Sequence, residues 1–131
     1  MATAVGLLLA LLAALASSGS GRPTEALASE VVRDVPRWGR VERLPAGAVA
    51  GARLFATSGC TACHTYLGAG SSNLGGRDLS AVGRRHGVRF FERFVAQPAR
   101  FGNAVMPRFA ALGRTNLHRL AIFLAASKGR R

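Results

Sequence analysis

The reactive chemistry of this chain is concentrated in five consecutive residues, Cys60-Thr61-Ala62-Cys63-His64. On one helical turn, two thiols three positions apart reach two vinyl groups along one edge of a porphyrin. The adjacent imidazole then turns toward the iron. Cys60 and Cys63 are therefore expected to carry the two thioether bonds of one haem c, with His64 as the proximal iron ligand. Other chemistries use paired cysteines. A thioredoxin-like redox pair belongs in a βαβ context, and no strand alternation is visible in this sequence. A zinc site needs further Cys or His at finger-like spacing, and only His86 and His118 remain. Two cysteines this close cannot form a disulfide framework.

A second iron ligand is expected at Met106, the only methionine apart from Met1. Methionine is ordinarily a core filler. Met106 instead adjoins Pro107 in a loop that also holds Gly102-Asn103. A thioether suits the distal iron position, and a Met/His pair raises the reduction potential. His86 and His118 are the rivals. His86 follows Arg84-Arg85 in an expected loop, and His118 lies oblique to an apolar stripe, so both read as surface groups.

The elements that must hold these residues are helical. Gly51, Leu54 and Phe55 share a face in a segment that opens at Gly47-Ala48 and ends at Ser58-Gly59. A second helix is expected near Asp78 to Arg84. A third is expected over Val88 to Ala96, with Phe90, Phe91, Phe94 and Val95 as its apolar face and Pro98 as its stop. In the last, Thr115 reads as the N-cap, Leu117, Leu120, Ala121 and Leu124 form the stripe, and Gly129 ends it. The expected fold is all-α, with four or so helices and long Gly-rich loops. Such loops bury little and cost entropy. A domain of about 85 residues has little core to spare, and one haem would fill its centre.

The first 46 residues read differently. Val5 to Ala16 is an unbroken apolar run ending in Ala14-Leu15-Ala16. It falls short of the roughly 20 residues of a membrane span, so residues 1–16 are expected to be a signal peptide, or else a short membrane anchor. No Lys or Arg precedes the run, and no Cys near its end permits a lipid anchor. Residues 17–46, with Pro23, Pro36 and Pro45, are expected to form a linker or N-terminal arm, and residues 47–131 the haem domain. Trp38 is expected to pack on the domain surface. The net charge of +12 over 131 residues comes almost wholly from arginine. It reads either as a compositional preference or as steering toward an acidic partner or an anionic membrane. No nucleic-acid-binding motif accompanies it.

From about Gly51 to Ala126 the chain resembles class I (mitochondrial-type) c-type cytochromes. The resemblance rests on Gly51 and Phe55 ahead of the C-x-x-C-H run, on Thr65 through Gly70 after it, on Met106-Pro107, and on the closing helix around Leu120 to Leu124. It implies a small cytochrome c fold wrapped around one haem. It implies that the first and last helices of that domain cross at Gly51, Phe55, Leu120 and Phe123. Arg77 stands where the family has proline in the loop facing the proximal histidine. The resemblance implies that the backbone carbonyl there accepts the His64 Nδ1–H. Arg84 would pair with a haem propionate or stand as an exposed helix-end charge, and Tyr66 would line the haem or simply pack. The function implied is single-electron transfer in the periplasm or on the outer face of the cytoplasmic membrane. The cationic surface adds the expectation of redox protein partners with acidic docking faces and of membrane association, with no small-molecule substrate. Two other outcomes stand beside it: a fixed cytochrome subunit of a membrane complex, and a gas sensor or peroxidase with a labile distal ligand.

Overall fold

The computed structural model describes residues 23–130, with the side chains of the first helix described from Glu30 onward. The expected signal peptide or anchor at residues 1–16 lies outside the described residues. Within them are four α-helices: α1 (Pro23–Val41), α2 (Ala46–Thr57), α3 (Val88–Ala96) and α4 (Gly113–Ala126). A two-stranded antiparallel ladder, β1 (Thr65–Tyr66) and β2 (Ala69–Gly70), and short 3-10 turns make up the other regular elements. No described helix is long and apolar enough to cross a membrane.

Over Pro23–Val41 the expected linker or N-terminal arm is corrected by α1, and its residues 17–22 lie outside the described residues. Val31, Val35 and Trp38 fall at i, i+4 and i+7, and all three are buried. They form one apolar stripe, which Pro36 and the surrounding charges obscure in the sequence. Pro36 lies inside the helix on its exposed side. Burial of the stripe against α2 outweighs the hydrogen bond that proline removes. Trp38 is 0% exposed and belongs to the core itself. Its ring meets those of Phe55, Tyr66 and Phe123 at centroid distances of 6.1, 4.8 and 6.3 Å. Each ring buries about 150–250 Å², or about 4–6 kcal/mol apiece as an upper value.

The closest helix contact is the crossing of α2 on α4. A Cβ on Gly51 would collide with the Arg119 carbonyl and would lie 2.7 Å from Phe123 Cβ. Only glycine lets the two backbones approach so closely. This is the crossing expected from Gly51, Phe55, Leu120 and Phe123, and the last three of these are buried there to 1% exposure or less.

A polar clasp closes the far end of α4. The Ser127 hydroxyl donates to the Phe123 carbonyl at 2.8 Å, so the Tyr66 hydroxyl must donate to Ser127 Oγ, also at 2.8 Å. The Lys128 N–H donates to Oε2 of the buried Glu42 at 3.0 Å, which ties the end of α1 to the end of α4. Gly83 N–H donates to the Ser127 carbonyl at 2.9 Å, and a Cβ on Gly83 would strike the Ala125 and Leu124 carbonyls.

Three local expectations change. The helix expected near Asp78 to Arg84 is only a 3-10 turn at Val82–Arg84. The Leu79 N–H goes to the Thr65 carbonyl and the Ser80 N–H to Asp78 Oδ1, so neither feeds a helix. Helix α4 begins at Gly113, and Thr115 lies in its first turn rather than capping it. The ladder was not visible as alternation because it spans two residues per strand. Its turn uses positive φ at Leu67 and Gly68, the geometry of a tight hairpin.

Gly51→Ala is expected to destabilise the fold by about 2 kcal/mol, through overpacking against a backbone that cannot yield. Gly39→Ala, in α1 with open space around its Cβ, is expected to stabilise by about 0.5–1 kcal/mol. Urea unfolding of both variants checks the contrast.

Candidate functional site

Helix α2 ends at Thr57, and Gly59, at φ +87°, turns the chain into the 3-10 turn Cys60–Ala62. The Cys60 carbonyl accepts from the Cys63 and His64 N–H groups at 3.2 and 2.9 Å. The C-x-x-C-H run thus forms one tight turn projecting from the core. Cys60 is 8% exposed, whereas Cys63 and His64 are half-buried. Both cysteines are free thiols.

His64 Nδ1 lies 2.9 Å from the Arg77 carbonyl oxygen. A carbonyl only accepts, so Nδ1 carries the proton, and in the neutral ring the Nε2 lone pair is left for a ligand. This is the outer-shell contact that orients metal-binding histidines. The chain builds it with glycine. A Cβ on Gly76 would overlap the Cys63 carbonyl and lie 3.0 Å from His64 Nδ1, so the loop passes directly against the histidine. Gly70, at φ +93°, likewise closes on the His64 carbonyl. The loop is fastened to the segment after His64 at three points. Leu79 N–H bonds to the Thr65 carbonyl, Thr65 Oγ1 to Asp78 Oδ2, and Leu67 N–H to Ser80 Oγ, at 2.9, 2.9 and 2.8 Å. Arg77 therefore serves through its backbone, and its side chain is not needed for the contact.

Met106 lies in the loop between the 3-10 turns Pro98–Phe101 and Ala110–Leu112. It is half-buried against the same apolar cluster that contains Cys60. Asn103 Oδ1 accepts the Val105 and Met106 N–H groups at 3.2 and 3.0 Å, fixing the loop from inside. Leu79, Val82, Phe94 and Phe109 are also packed on the core yet only partly buried.

The remaining residues have other duties. His118 Nδ1 pairs with Glu92 Oε1 across α4 and α3, and His86 stacks on Phe90 at 3.7 Å between centroids. Both histidines are exposed. Arg84 Nε donates to the Lys128 carbonyl, and Tyr66 is buried in the aromatic core. Among the described residues no three His, Cys, Asp or Glu side chains gather to hold a metal ion. An open groove of about 740 Å³ beside the turn is lined by Glu30, Asp34, Thr61, Ala62 and Leu74, among others, but by none of Cys60, Cys63, His64 and Met106. The sequence placed Asn103 in the Met106 loop but did not show that its side chain holds that loop, nor that Gly76 presses against His64. The Gly75-Gly76 pair was the available signal.

Burial pushes the Cys60 thiol up to about 12, with the neighbouring Cys63 adding to the rise and a backbone hydrogen bond opposing it. A dithiol oxidoreductase needs its leading cysteine as an exposed thiolate, and Cys60 is the reverse. Burial likewise raises the Tyr66 phenol, against the lowering effect of its bond to Ser127. No family model, no curated protein and no solved structure matches this chain.

With both thiols free, iodoacetamide at pH 8 is expected to alkylate Cys63 and spare Cys60, as peptide mapping would show. Both raised groups bind their protons more tightly in the folded state. Stability is therefore full below the unfolded cysteine value and falls as pH rises from about 9 toward 12. Cys60→Ala should flatten part of that decline and leave the part due to Tyr66. For His64, ¹⁵N NMR should show the Nδ1-protonated tautomer, retained in Arg77→Ala and lost in Gly76→Ala.

Proposed function

We propose that this chain is a monohaem c-type cytochrome of the class I type, a single-electron carrier with no substrate of its own. The observation that carries the reading is the His64 Nδ1 to Arg77 carbonyl bond, which leaves Nε2 as the lone pair of a C-x-x-C-H histidine. The arrangement of α2 on α4 at Gly51 and the half-buried apolar side chains around Met106 agree with a core that packs against a large flat cofactor.

The residues fit one haem c. Cys60 and Cys63 would hold it by thioether bonds, His64 would ligate the iron proximally and Met106 distally. Once bound, the haem supplies a one-electron ferrous/ferric couple. The polypeptide does the rest. The Arg77 carbonyl fixes the ring and tautomer of His64. Asn103 holds the Met106 loop in place. The aromatic core excludes water from the Cys60 side of the turn. With His64 and Met106 both holding the iron, no open position would be left for a substrate. The proposed location is the periplasm or the outer face of the cytoplasmic membrane, on the strength of the apolar run Val5 to Ala16. The strong positive charge suits redox protein partners with acidic docking faces, with association slowing as salt screens the attraction.

The test is an optical spectrum of the matured, reduced protein with and without carbon monoxide. A covalently held low-spin haem whose bands do not move under carbon monoxide is expected. Met106→Ala should open the iron and shift the bands. A wild-type shift would move the sensor or peroxidase reading ahead, and a protein without covalent haem would overturn the proposal.

A further inference from the structure

Helix α1 lies ahead of the stretch that resembles the class I cytochromes, yet it grips the segment that follows the C-x-x-C-H turn. Adjacent residues of α1 take adjacent residues of the hairpin. Trp38 packs its ring on Tyr66 at 4.8 Å between centroids, and Arg37 Nη2 donates to the Leu67 carbonyl at 2.9 Å. Asp34 Oδ1, one turn earlier, accepts from Arg37 Nε at 3.2 Å. A guanidinium donates from several nitrogens in one rigid plane, so Asp34 aims the nitrogen that reaches Leu67.

Leu67 is a residue that needs holding. Its φ is +46°, and among the described non-glycine residues only Arg43 shares a positive value. Leucine rarely adopts that region and stays there only where its surroundings fix it. Both of its main-chain polar groups are fixed. The carbonyl takes Arg37, and the N–H donates to Ser80 Oγ at 2.8 Å. Ser80 belongs to the loop whose Arg77 carbonyl faces His64 Nδ1. The same loop is tied to the residue after His64 by Leu79 N–H on the Thr65 carbonyl and by Thr65 Oγ1 on Asp78. A continuous set of bonds thus runs from α1 through Leu67 and Ser80 to the carbonyl that orients the imidazole.

We propose that Arg37 is a positioning residue for His64: by pinning Leu67 it steadies the loop that presents the Arg77 carbonyl. The consequence for electron transfer rests on the haem reading above, whereas the positioning itself does not.

The test follows the ¹H and ¹⁵N resonances of the His64 ring in the matured, reduced full chain, in wild type, Arg37→Gln and Arg33→Gln. Arg33 is exposed on the same helix, so its variant removes an equal charge. In Arg37→Gln the His64 Nδ1–H is expected to exchange with solvent about fivefold faster and to move upfield, as the bond to Arg77 opens more often. Arg33→Gln should leave both unchanged. Exchange at a half-buried ring proceeds by local opening, far below the free energy of global unfolding. A mere loss of stability in urea would therefore not move it. Lower urea stability with an unaltered His64 resonance and exchange rate would overturn the proposal. An equal effect in Arg33→Gln would overturn it too, by assigning the change to charge, as would a wild-type ring proton that already exchanges freely. A chain without covalent haem would sink the electron-carrier reading and leave the His64 contrast measurable.

Discussion

The contact between Gly51 and the backbone of Arg119 is the constraint from which the rest of the fold follows. It brings α2 and α4 to backbone contact, and any side chain at residue 51 would force them apart. With the helices at that distance, Phe55 and Phe123 meet at 5.6 Å, and both reach Tyr66, at 5.8 and 4.8 Å. Trp38 completes the cluster from α1. Tyr66 is the second residue after His64. Anchoring its ring among the helices and its hydroxyl on Ser127 therefore fixes the end of the C-x-x-C-H turn. A constraint between two helices in this way sets the position of a reactive turn that belongs to neither.

The site is held by backbone more than by side chains. The Arg77 carbonyl, the close approach of Gly76 and the N–H groups capped by Asn103 do the orienting. Main-chain groups cannot change rotamer, so a histidine tethered to a carbonyl is held with less freedom than one tethered to a long side chain. That is an advantage for any group whose angle toward a bound cofactor matters.

Helices α2 and α3 were legible in the sequence almost to the residue, because their apolar periods are unbroken and Gly or Pro ends them. The body of α4 was equally plain, although its start was displaced from Thr115 to Gly113 by a glycine with positive φ. Helix α1 was not legible. Its stripe has only three apolar side chains described as buried, Pro36 interrupts it, and its next member, Glu42, is a carboxylate whose burial makes sense only once the Lys128 N–H is seen beside it. The reactive residues declared themselves by type and spacing. Of their supports only the carbonyl facing His64 was anticipated, and that from the family resemblance, whereas Gly76 and the Asn103 side chain show their purpose only in three dimensions.

The bond from Lys128 to Glu42 joins residues 86 positions apart, and the Gly51 crossing likewise waits for Arg119. Contacts of such long sequence separation form late. A chain made from its N-terminus presents α2 and the cysteine turn well before α4 exists to pack on α2. Until α4 docks on α2, the core cluster that contains Cys60 lacks Phe123, Leu120 and Leu124. The apolar core to which Cys60 belongs is thus left incomplete until the last helix joins it.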